Sequence, residues 1–120
     1  MRIAIIDESA ARAAVIAEGL VASGLNDITV LIERQGLVAR LQDLAPDVVL
    51  IDLANPRRDE LEELFAVSRA ISRPIAMFVD RADDSSIEAA TDAGVSAYVV
   101  DGMKPDRIPS VLDVAIKRFN

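Results

Sequence analysis

The sequence predicts an α/β domain, a doubly wound parallel sheet of five strands with five helices over its faces. Three observations predict it. Five apolar runs of strand length alternate with segments of helical period, the order expected of repeated strand–helix units. The strand runs are nearly continuous rather than alternating, as in strands covered on both faces. The apolar residues are mostly Ala, Val, Ile and Leu, with three Phe, one Tyr and no Trp. Right-handed crossovers then place ligand chemistry at the carboxyl ends of the strands, near the point where strand order reverses.

The elements follow in order. Ile3 to Ile6 is the first strand; Ser9 stands as a helix N-cap, an Ala-rich helix runs to Ser23, and Gly24 falls at its C-cap. Asp27 to Ile32 is a second, more exposed strand. Leu37, Val38, Leu41 and Leu44 mark a short amphipathic helix that stops before Pro46. Val48 to Ile51 is the third strand and ends on Asp52. Leu61, Leu64, Phe65 and the stretch from Ser68 to Ile71 keep helical spacing, and after Pro74 the run Ile75 to Val79 is the fourth strand, ending near Asp80.

Ser85-Ser86-Ile87-Glu88 has the spacing of a capping box at the head of a helix that ends near Gly94. Ala97-Tyr98-Val99-Val100 is the fifth strand and runs into Asp101. Ile108, Val111, Leu112, Ala115, Ile116 and Phe119 form the cleanest helical stripe, with Pro109 tolerated in the first turn. No Gly or Pro closes that helix at Phe119-Asn120, which is compatible with a longer protein continuing beyond it.

Composition removes whole classes of function. At 120 residues and 52% hydrophobic content the chain is one globular domain, residues 1–120. Twenty acids against 13 bases give a net charge of −7, which repels a phosphate backbone, and no aromatic platform for stacked bases exists. Nucleic acid is therefore not expected to bind this domain alone. Without Cys or His there is no disulfide frame, thiolate zinc site, His triad or His metal site. Four apolar residues before Asp7 are too few for a signal peptide or a membrane span, so a cytoplasmic protein with no membrane partner is expected. No Gly-rich phosphate loop or nucleophile elbow is present to support a small-molecule enzyme.

What remains are acids at strand ends. Asp7 and Glu8 end strand one and Asp52 ends strand three; in a sheet of order 2-1-3-4-5 these strands are neighbours and three carboxylates converge. A single Asp after a strand is as readily a polar loop residue. Three on adjacent strands point to a site, where either some carboxyls stay protonated or a hard cation such as Mg2+ settles among them. A metal so placed neutralises an incoming phosphoryl group while a carboxylate attacks it, and Asp52, at the strand tip, is the candidate nucleophile.

The pattern IAIIDES, then DVVLIDLANP with Pro56 four residues after Asp52, then PIAMFV and AGVSAYVV, resembles the receiver domain of two-component response regulators over essentially the whole chain. The resemblance implies a flavodoxin-like receiver fold, Mg2+ held by Asp7, Glu8, Asp52 and the backbone carbonyl of Ala54, and phosphoryl transfer from a sensor histidine kinase to Asp52. A receiver is not an enzyme beyond its own phosphoryl transfer and hydrolysis. A narrower likeness lies in PIAMFVDRADD followed by AGVSAYVVDGMKPDRIPSVLDVAIKRF, which is similar to receivers joined to C-terminal ANTAR RNA-binding modules of nitrate-responsive transcription antiterminators. It implies a C-terminal output module beyond this chain and RNA bound only through that module; a homodimer is a further possible partnership that the sequence leaves open.

The chain departs from the family at its switch positions. Receivers place Ser or Thr at the end of strand four and Lys at the end of strand five; counting from Pro74 and Gly94 gives Val79, with Asp80 beside it, and Asp101. The aromatic switch position is Tyr98. Exchanging Lys for Asp changes the local charge by two, each unit worth roughly 2 kcal/mol against a phosphoryl anion at ~7 Å and an effective dielectric of about 20. Val79 withholds a hydrogen bond, a further loss of about 1–3 kcal/mol in a dry site. Arg81 and Lys104 are near in sequence but read more readily as solvated loop cations. Two functions are thus expected: a phosphoacceptor receiver, or a module of the same fold controlled by a regulatory sensor protein without phosphorylation.

Overall fold

Uninterrupted apolar runs make buried strands, because a strand covered on both faces leaves no position free for a polar side chain. The structure, a computed structural model, describes residues 1–33, 35–53, 57–80, 84–100 and 105–119. Its elements are β1 (Arg2–Asp7), α1 (Ala10–Ala22), β2 (Asp27–Leu31), α2 (Leu37–Leu44), β3 (Val48–Leu53), α3 (Arg58–Ala70), β4 (Ile75–Val79), α4 (Asp84–Asp92), β5 (Ala97–Val99), a 3-10 turn at Pro105–Arg107 and α5 (Ile108–Phe119). All five strands are parallel, in the order β2-β1-β3-β4-β5, as the alternation predicts. The order reverses between β1 and β3, which opens a crevice at their carboxyl ends.

Side-chain alternation along the strands sorts the core into two layers. Ile3 and Ile5 of β1, Val48 and Leu50 of β3, and Ala76 and Phe78 of β4 pack with Ile16 and Leu20 of α1 and Ile108 and Leu112 of α5. The intervening residues Ala4, Ile6, Val49, Ile51, Met77 and Val79 pack against α2, α3 and α4 through Leu41, Leu64 and Ala90. Each fully buried Ile or Leu stabilises by roughly 1.5–3 kcal/mol.

The helix ends follow from local chemistry. Ser9 caps α1 by accepting the amide of Arg12 at 3.2 Å. Gly24 and Gly94, at φ +89° and +86°, let the chain turn back so that Leu25 N donates to Leu20 O and Val95 N to Ala90 O. Ala45, ending α2 before Pro46, takes the same left-handed region at φ 50° with a side chain that disfavours it.

Several boundaries differ from expectation. β3 extends to Leu53, because its pairing with β4 continues one residue past Asp52 to Leu53↔Val79. β2 stops at Leu31, leaving Ile32 exposed beyond the last register pair with β1. α4 starts at Asp84, so Ser85 takes a helical position rather than the cap of its proposed box. β5 has only three residues, since its pairing with β4 ends at Phe78↔Val99 and Val100 is already exposed.

Candidate functional site

Register builds the site. In the β1–β3 ladder Asp7 stands opposite Asp52, so the two carboxyls leave adjacent strands on the same face of the sheet, toward α1 and α5. Both are almost fully buried, at 3% and 2% exposure. Asp7 Oδ1 accepts the amide of Ser9 at 2.9 Å, which ties the carboxylate to the turn that opens α1. Among the described residues, Asp7 Oδ2 and Asp52 Oδ2 are buried with no hydrogen-bond partner.

Asp52 Oδ1 accepts from Arg12 Nη2 at 2.9 Å, an ion pair across 40 positions of sequence. Arg12 lies in the first turn of α1, and its side chain is 32% exposed, so it reaches into the crevice from its rim. Burial first, then the neighbouring Asp7 carboxyl, push the Asp52 carboxyl up from 3.8 to about 7; Arg12 pulls it the other way.

Two orphaned carboxylate oxygens in a buried crevice are what a hard cation would satisfy, so Asp7 and Asp52 fit a Mg2+ of the kind expected. The third expected carboxylate does not join them. Glu8 follows β1 on the exposed side, and among the described residues no three His, Cys, Asp or Glu side chains are grouped closely enough to hold a metal ion. Ala54 and Pro56 lie outside the described residues, as does Asp101.

The proposed switch residues divide between places. Val79 and Tyr98 pack in the layer of α2, α3 and α4, the face opposite Asp7 and Asp52, and Tyr98 pairs in register with Met77 on that same face. Asp80 is exposed directly after β4. Arg12 is the site residue that sequence reading missed. The available signal was its place: five residues after Asp7 and three after the Ser9 cap, in the first turn of a helix that starts at the carboxyl end of β1.

A five-stranded parallel sheet of order 2-1-3-4-5 between two helical layers, with acids at the carboxyl tips of β1 and β3, has the flavodoxin-like, CheY-like receiver fold. The solved structures it is similar to include a CheY-like response regulator receiver domain protein from Methanospirillum hungatei, with TM-score 0.80, 17% identity, and 98% of this chain and 94% of that one covered. A response regulator from Thermotoga maritima aligns with TM-score 0.78 and 20% identity over 97% of both chains. A response regulator protein from Burkholderia multivorans aligns with TM-score 0.70 and 28% identity over 93% of this chain and 91% of that one.

Among curated proteins, the transcriptional regulatory protein PdtaR of Mycobacterium tuberculosis is 28% identical over 74 residues, 62% of this chain. The chain matches 36% of the length of that relative. No protein-family model matches the chain. Among the described residues no helix is long and apolar enough to cross a membrane.

Proposed function

We propose that the chain works as the phosphoacceptor receiver of a response regulator, with Asp52 as the acceptor. The supporting observation is the buried, in-register Asp7–Asp52 pair at the carboxyl end of the sheet, with an unsatisfied oxygen on each carboxyl. In the reaction an ionised Asp52 oxygen attacks the phosphorus of a phosphohistidine on a sensor kinase; the new P–O bond forms an acyl phosphate while the P–N bond breaks and the imidazole leaves with the electron pair. Asp52 must lose its proton to attack. Asp7, tied by Ser9, holds its neighbour in place, and Arg12 favours the ionised form. Asp7 and Asp52 would hold a Mg2+ ion, with the carbonyl of Ala54 as a further ligand by family resemblance, and the ion would supply charge neutralisation when bound.

The output we assign is control of transcription through an RNA-binding C-terminal module of ANTAR type, with homodimerisation as a feature of the whole protein. It is supported by the likeness to PdtaR, a transcriptional regulator much longer than this chain. Mass spectrometry after incubation with Mg2+ and a small phosphodonor such as acetyl phosphate tests the acceptor. A phosphoryl mass gain that disappears in Asp52→Ala is expected; no gain under conditions that label an ordinary receiver overturns the reading.

A second reading is favoured by Asp101 where receivers carry Lys and by the donorless Val79. Here the same fold is a docking module controlled by a partner protein without phosphorylation. A partner that co-purifies equally with wild type and Asp52→Ala supports it, and loss of the partner with Asp52→Ala alone rejects it.

A further inference from the structure

A phosphoryl group on Asp52 would bring about two negative charges into a crevice already lined with acid, and something must donate to its oxygens. The expected places do not supply it. Val79 carries no polar side-chain atom and packs on the far face of the sheet, and position 101 is an acid. Arg81 and Lys104 lie outside the described residues.

A cation does stand in the crevice, brought by α1. Arg12 Nη2 donates to Asp52 Oδ1 at 2.9 Å, while the side chain keeps 32% exposure toward the open rim. A guanidinium has five N–H donors in a planar fork, the geometry that suits the oxygens of a phosphoryl group. Its origin is fixed: the Arg12 amide is held by the Ser9 cap, and the Ser9 amide by Asp7, so α1 is pinned to the acid pair itself. α1 also packs against the 3-10 turn Pro105–Arg107 and α5.

We propose that Arg12 is the phosphoryl-binding cation of this pocket: it pairs with Asp52 Oδ1 before modification and donates to the phosphoryl oxygens afterwards, the part expected of the replaced Lys. The inference rests on the phosphoacceptor reading of Asp52. It carries a second consequence. A positive charge on Asp52 opposes a divalent cation at the same carboxylate, so losing Arg12 affects metal and phosphoryl mimic in opposite directions.

The test is calorimetric titration of the chain, as wild type, Arg12→Gln and Arg12→Lys, first with Mg2+ alone and then with beryllofluoride at saturating Mg2+. For Arg12→Gln, Mg2+ affinity equal to or tighter than wild type and beryllofluoride affinity about tenfold weaker or worse are expected, the loss of one charge-assisted hydrogen bond or more. Arg12→Lys keeps the charge without the fork and falls between; it also decides the matter if Arg12→Gln does not fold. Unchanged beryllofluoride binding in the folded variants overturns the assignment. Parallel weakening of both ligands also overturns it, since that marks a purely structural role. A wild type that binds Mg2+ but neither beryllofluoride nor a phosphoryl group overturns the acceptor reading, and this inference with it.

Discussion

Replacing Asp52 by Asn changes a buried carboxyl with a raised pKa into a neutral group of the same shape, and the pH dependence of the resulting stability difference follows from the site. The folded Asp52 carboxyl keeps its proton up to about 7, against 3.8 for the ordinary group. Between those values the folded state binds a proton that the unfolded chain has released. The contribution is thus fully present below about pH 4, falls as pH rises, and is gone once pH passes the folded value. From pH 5 to pH 8.5 the wild type loses roughly two pH steps of about 1.4 kcal/mol each, about 3 kcal/mol, relative to a chain without this group. In a domain of this size that corresponds to a relative shift of roughly 10 °C in the melting midpoint. The assay is thermal and urea denaturation of wild type and Asp52→Asn in EDTA at several pH values, which cancels the titration of every other acid. Asp52→Asn should gain on wild type steadily with pH. Parallel stability curves from pH 5 to 8.5 would refute the raised Asp52 pKa. Adding Mg2+ at pH 8.5 should raise the wild type and leave Asp52→Asn nearly unmoved, by about 2.7 kcal/mol at a hundred times the dissociation constant.

Other outcomes can be checked by the same methods. Ala45→Gly relieves a left-handed residue at φ 50° and should raise the unfolding free energy from urea titration by about 0.5–1 kcal/mol. Ser9→Ala removes the α1 cap and should cost about 1 kcal/mol, with Arg12 held less firmly over Asp52. Phe78→Ala, on the layer shared by the acid pair and α5, should cost about 3–5 kcal/mol by denaturant titration. Asp101→Lys changes the charge at the family's phosphate-sensing position by two and should raise the yield of phosphorylated Asp52 at least tenfold by mass; an unchanged yield would show that position 101 does not act on the phosphoryl group.

Much of this protein was determined by local sequence. The run Val48 to Ile51 could only be a buried strand, and five such runs alternating with helical stripes dictated a parallel sheet, because apolar faces at those periods can be covered in few ways. The acids after β1 and β3 were visible for the same reason: polar residues at the mouths of apolar strands mark where the chain leaves the core. Short-range features were less secure. Ser85 had the capping spacing, yet Asp84 already begins the helix, since packing of Ala90 and its neighbours on the sheet sets the start as much as the cap does.

What only the tertiary structure decided are relations between distant residues. Register put Asp7 opposite Asp52, while Glu8, one residue past the end of β1, is exposed. It placed Val79 and Tyr98 on the face away from the acids. It also brought Arg12 onto Asp52 across 40 positions, an ion pair that no periodicity encodes. Local patterning states which residues seek the core. Which charges then meet depends on how the finished layers stack, and at this site that stacking decides what faces Asp52.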